Sequence, residues 1–399
     1  MRAITIQKRL QTIVLVLCVG TGAVFLMQCS RSGEADVDGT VGESTSVPVI
    51  RTADSPRHDG ELYSVEEDLV LGIDEGEPEW QIFGRSIWFE LGPDGLIYLM
   101  DRIDRTVHIV GKDGELLGEF GRSGSGPGEF QMVNEMIWRD DIRELWINDM
   151  RLFRITRFAP DGELIDTINY ANRDTEWMRV LYLGGDRFLA SRWDRSGGGG
   201  DMISYYGFLD EEMDYTEDFL TTIGQKNIQT TANSWMPMPF VLGAQVAPSP
   251  RGLFVVGYPD DGRLEVYNDQ GVLTRTIEHS GERIRILNEE KQAWLERMRS
   301  TPMVEAAYLN RVQLPDYRQA FFTIHLDDED RIWIERTRSH PRDTPPVYDV
   351  ISIDGEWLGV QTLTDRPGRI ANGYLYQVVT SEDHGPIFVR YRMVPRYQE

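Results

Sequence analysis

Gly121–Phe130, GRSGSGPGEF, places four glycines and a proline in ten positions, a composition that can cradle phosphate through backbone N–H groups. The chemistry of a P-loop also needs a Gly-Lys-Ser/Thr ending, and a dinucleotide site needs G-x-G-x-x-G leading into a helix. Neither is present, and the residues that follow, Met132–Trp138, alternate as a strand. The segment therefore reads as a loop in which glycine allows backbone conformations closed to other residues. The six histidines (His58, His108, His279, His325, His340 and His384) show no metal-ligand spacing. Asp327–Asp330, DDED, lacks the D-x-D-x-D-G order of a calcium loop and reads as a hairpin turn. There is no G-x-S-x-G elbow. Both cysteines, Cys18 and Cys29, fall in the N-terminal apolar stretch, so no thiol nucleophile or disulfide framework follows it.

The elements that would position any site follow from the rest of the chain. Its 399 residues carry a formal charge of −24, which argues against a nucleic-acid backbone as partner. Residues 1–29 combine a basic start (Arg2, Lys8, Arg9) with an apolar run from Ile13 to Met27, a secretory signal. Cys29 then sits where a lipoprotein carries its lipid, with an uncleaved anchor as the alternative. Residues 30–61 are rich in Ser, Gly and acids and read as a disordered linker.

From Leu62 the pattern changes to short apolar alternations separated by turns. Residues 86–121 contain four such strands, with turns at Pro93–Gly95 and Lys112–Gly114. The unit recurs over 136–168, 180–223, 244–277 and 321–363, and Asp-Gly returns at Asp161–Gly162 and Asp354–Gly355. The tail, 369–394, supplies three strands, and 63–73 supplies the missing fourth. Pairing the two closes a ring and removes an open sheet edge. The fold expected over 62–395 is all-β: a six-bladed β-propeller with four-stranded blades, the N-terminal strand completing the last blade. A helical insertion over about 287–312, between blades 4 and 5, is divided by Pro302.

The stretch TVHIVGKDGELLGEFGRSGSGPGEF resembles the NHL repeat, in which strands around an Asp-Gly turn run into a Gly-Pro-Gly-x-Phe loop. The chain from 62 to 394 is similar to bacterial extracytoplasmic six-bladed propellers of that type. The resemblance implies the fold and no single activity, since such propellers serve as protein, carbohydrate or small-molecule platforms and only some are enzymes.

In such a ring, the loops joining second to third strands share one face with those joining successive blades. On that face the ligand-binding candidates are Arg102, Arg105, Arg151, Trp193, Arg195, Tyr258, Arg336 and His340, walled by insertions at 224–240 and 281–315. Arginine would grip carboxylate or sulfate, and the aromatics would stack on a sugar or peptide. The competing reading pairs these arginines with neighbouring Asp101, Asp104 and Asp149. The expectation is a membrane-tethered extracytoplasmic platform for a protein, peptide or carbohydrate, without a cofactor. The alternative is a calcium-dependent lactonase or esterase using the central tunnel, for which Asn134 and Glu135 are the metal candidates; Glu90 lies far down its strand and Gln245 is a further possibility.

Overall fold

Six four-stranded antiparallel blades form the body, and in the first five the strands follow chain order from innermost to outermost. The computed structural model describes residues 47–72, 78–84, 86–170, 179–194, 200–210, 213–279, 281, 283–338, 344–381 and 385–397. Blade 1 spans 87–120, blade 2 133–169, blade 3 179–225, blade 4 245–278 and blade 5 321–362. Blade 6 takes three strands from 369–395 and its outermost strand from Tyr63–Leu71, which runs antiparallel to Phe388–Pro395. The ring is closed as the sequence requires. The core is a series of apolar clusters between successive blades, such as Tyr98, Phe130, Trp138 and Phe158 between blades 1 and 2.

The repeat rests on a recurring turn between third and fourth strands. Gly114, Gly162, Gly271 and Gly355 all occupy the left-handed region, at φ between 74° and 91°. Each donates its N–H to the carbonyl three residues earlier (Gly111, Ala159, Asn268 and Ser352) at 2.9–3.0 Å. A side chain at that φ is strained, which is why glycine returns at this position.

The Gly121–Phe130 loop crosses from blade 1 to blade 2, and its own residues fill it. Glu129 accepts the Gly126 N–H at 2.7 Å and the Arg122 Nε–H at 2.8 Å, and these donors hold its carboxyl below the usual range. Arg154 donates to the Gly126 and Glu129 carbonyls, both at 2.7 Å. Phe130, fully buried, plugs the gap between the blades. The loop's anion is internal, so it is no phosphate cradle.

Two insertions pack on each other. The 224–240 segment forms a hairpin of Asn227–Thr231 and Ser234–Pro237. The helical segment forms α1 (Asn288–Arg299) and α2 (Ala306–Leu309), separated at Pro302. Ile228, Trp294 and Leu309 make a small core between hairpin and helices, with Leu295 and Met298 of α1 packed against it. Among the described residues no helix is long and apolar enough to cross a membrane.

The linker expectation needs correction. Val49–Arg51 pair in parallel with Thr276–Glu278, adding a fifth strand to blade 4. The chain then runs along blade 5, where Arg57 and His58 donate backbone N–H groups to Trp357 and Leu358 at 2.8 and 3.0 Å. Thr52 is buried, and its hydroxyl lies 2.9 Å from His279 Nδ1. The outer strand of a blade leaves a row of unpaired backbone groups, and three residues suffice to cover part of it. Residues 47–61 are thus a strap, while Cys29 and the first 46 residues lie outside the described residues.

Candidate functional site

Aspartates at the top of blades 1 and 2 set the shape of the expected rim. Asp101 accepts N–H groups from Gly84 (2.6 Å), Ile103 (2.6 Å) and Asp104 (3.2 Å). Asp149, fully buried, accepts from Gln131 (2.6 Å), Met132 (3.2 Å), Arg151 (3.0 Å) and Leu152 (3.0 Å). Each carboxylate staples the loop after the second strand to the segment entering its blade. These donors are all backbone groups, so Asp101 and Asp149 hold the loops that carry the arginines.

The arginines themselves are held in three ways. Arg102 lies over the Trp88 ring, 4.3 Å from its centroid. Arg105 donates to the Gln131 carbonyl at 2.8 Å and the Ser123 hydroxyl at 2.9 Å, while Arg151 donates to Gln131 Oε1 at 3.0 Å. Gln131 thereby joins two of the expected residues across neighbouring blades. Arg336 is committed differently. Its fork grips Asp349 at 2.7 and 3.1 Å, and His279 Nε2 approaches the same carboxylate at 3.1 Å, completing a chain back to Thr52. This group lines a cavity of about 270 Å³ between blades 4 and 5, beside Trp357. Tyr258 donates its hydroxyl to Glu265 at 3.0 Å and carries the Arg263 guanidinium 4.0 Å from its ring centroid. Trp193 is 40% exposed at the end of its strand. Arg195 and His340 lie outside the described residues.

Of the metal candidates, Glu135 is engaged by protein groups, and so is Asp327 of the DDED turn. Glu135 accepts the Val180 N–H at 2.5 Å and the Arg179 Nε–H at 3.2 Å. Asp327 of the DDED turn accepts from the Glu329 and Arg331 backbones, the Arg331 side chain and the Trp333 indole at 2.6–3.0 Å. Among the described residues no three His, Cys, Asp or Glu side chains gather as a metal-binding group.

Sequence reasoning named Glu90 and Glu135 for the central tunnel but missed the arginines that meet them there. One cavity of about 190 Å³ is lined from blades 1, 2, 3, 4 and 6 together, through Glu90, Glu135, Arg179, Pro248 and Arg369. Only the ring axis can be reached from so many blades. A second cavity of about 320 Å³ shares Glu90, Met136 and Arg369 with it and adds Arg366. The available signal was an acid or arginine at the entry to, or on, an inner strand, where apolar residues are otherwise usual.

Burial pushes Glu135 up to about 7, against the pull of Arg179 and the Val180 N–H. Burial likewise raises Glu90, against Arg369. For Glu135 the folded state holds its proton more tightly than the unfolded chain does. Stability should therefore fall as pH rises from about 4.5 to about 7 and level off above, through this group. Melting temperatures across that window should show a shallower decline in Glu135→Gln than in the unchanged protein; identical profiles would remove Glu135 as the cause.

No protein-family profile matches the chain, and no curated protein matches it in sequence. Its fold is similar to that of a Bacteroides fragilis protein described as exported, with 10% identity and a TM-score of 0.52. That alignment covers 87% of this chain and 99% of the other. The likeness is one of fold. A DUF4221-family protein of Bacteroides vulgatus (TM-score 0.46, 10% identity, 84% and 99% covered) and a streptogramin B lyase (0.42, 10%, 84% and 98%) align more loosely.

Proposed function

We propose that the protein is an extracytoplasmic, membrane-tethered binding platform of the NHL-propeller type. Its signal-like N-terminus leads through Cys29, the lipidation candidate, to a rigid ring that displays its ligand face on the loops between second and third strands. The observation that carries this reading is the pairing of Arg105 and Arg151 through Gln131, near Arg102 on Trp88: cations fixed in place on an acidic body. Fixed guanidinium groups lose less freedom on binding a carboxylate or sulfate than mobile ones do. The description of a similarly folded protein as exported agrees with an extracytoplasmic setting.

The ligand class this favours is an anionic glycan or an acidic protein segment. A double dissociation tests tether and platform separately. Cys29→Ser should leave the membrane fraction and still bind polygalacturonate, with neutral dextran as control. Arg102→Ala combined with Arg151→Ala should stay on the membrane and lose about tenfold or more in that binding, with little change in melting temperature. Unchanged binding by the arginine pair would move the platform's site off this rim, and unchanged fractionation of Cys29→Ser would replace lipid by an uncleaved anchor.

A further inference from the structure

We propose that the axial channel binds a compact dicarboxylate, gripped by Arg179, Arg366 and Arg369. This site is separate from the rim, and it does not depend on the rim's ligand. Each of the three guanidinium groups is braced by a glutamate from another blade. Glu135 of blade 2 accepts from Arg179 of blade 3 at 3.2 Å, and Glu335 of blade 5 accepts from Arg366, on the segment entering blade 6, at 2.8 and 3.3 Å. Glu90 of blade 1 lies 3.6 Å from Arg369 of blade 6.

The pairs are unequal in exposure, and the inequality carries the inference. The glutamate side chains are 14%, 0% and 15% exposed, while their arginines are 54%, 44% and 44% exposed. An ordinary surface pair leaves both partners wet and contributes little. Here the carboxylates are largely buried, Glu90 and Glu135 within the cavity walls, while the guanidinium groups are about half exposed. Each arginine has five donors in a rigid fork, and each brace uses only one side of it. Arg366 is fixed further by the Phe322 ring, 4.2 Å away. Oriented, half-occupied forks of this kind suit bidentate carboxylates.

The arrangement of the cavities specifies two carboxylates. The larger lobe holds Arg366 and Arg369, the smaller holds Arg179 and Arg369, and Arg369 with Glu90 and Met136 is common to both. A ligand that spans them meets cationic groups at both ends. Met136 lines both lobes, and Ile87 and Val378 line the larger one, apolar walls that suit a short aliphatic linker. The wall glutamates do not repel it fully, since Glu135 is engaged by Arg179 and Val180 and Glu90 accepts the Leu91 N–H at 3.0 Å.

Calorimetric titration of the full chain with succinate, glutarate and adipate tests this, with butyrate and sulfate as comparison probes. At least one dicarboxylate should bind saturably, about tenfold or more tighter than butyrate or sulfate. Arg179→Lys and Arg366→Lys keep a cation beside the buried glutamate but lose the fork, and each should weaken binding by about tenfold. Val378→Phe, which fills the larger lobe without touching a charge, should do the same and stands in if a lysine variant fails to fold. The rim pair Arg102→Ala with Arg151→Ala should bind as the unchanged protein does. Absence of binding by all three diacids, equal binding of butyrate or sulfate, undiminished binding by the channel variants, or loss in the rim pair would each overturn the assignment.

Discussion

A chain that begins at residue 76 should fail to give a cooperative unfolding transition. The strand it lacks, Tyr63–Leu71, pairs along Phe388–Pro395, and the deletion also removes Leu62, Tyr63 and Leu71, all buried. Three such side chains at about 1.5–3 kcal/mol each approach much of the roughly 5–15 kcal/mol by which a domain is stable. The exposed pairs Arg390–Asp68 and Arg392–Glu66 on the same strand matter much less. The loss would also open a ladder edge on blade 6 and reopen the ring. A chain beginning at residue 62 keeps closure and loses only the strap, so it should melt cooperatively at a lower temperature than one beginning at residue 47. Calorimetry of the three chains decides the matter. A cooperative transition of the shortest near the temperature of the longest would show that the ring does not depend on this strand.

Asp149→Ala should destabilise the domain by on the order of 4 kcal/mol, a large effect for a single side chain. Its buried carboxylate receives four backbone N–H groups from two separate segments, and alanine offers those donors no acceptor. Asp149→Asn retains one acceptor oxygen and should recover part of the loss. Because the same carboxylate positions Gln131 and Arg151, both variants should loosen the rim before they unfold the ring. Denaturant titration gives the two free energies; values within about 1 kcal/mol of the unchanged protein for both would mean that the staple is dispensable.

The blades were legible because they repeat a local rule: alternating strands and, in blades 1, 2, 4 and 5, a turn whose left-handed position takes glycine, at Gly114, Gly162, Gly271 and Gly355. The division of the helical insertion was legible for a similar reason, in Pro302. The strap was not. Val49–Arg51 join blade 4 through backbone hydrogen bonds over three residues, too short for a side-chain pattern, within a segment of linker-like composition. The rim arginines could be placed on loops, but the partner that commits Arg336, Asp349, lies on another strand and is visible only once the sheet is paired. The channel pairs are more distant still. Glu90 meets Arg369 because the ring closes, bringing the first blade beside the last, and spacing along a chain carries no trace of that neighbourhood.

The strap also has a mechanical meaning. A pull arriving through residue 46 meets the three-residue pairing of Val49–Arg51 first, then the Arg57 and His58 hydrogen bonds, and only afterwards the nine-residue strand that seals the ring. The weak fastenings lie upstream of the strong one, so slack is released in small steps while the seal is still unloaded. If the propeller is hung by its N-terminus, as proposed above, the strap wound along blades 4 and 5 would serve as its shock absorber.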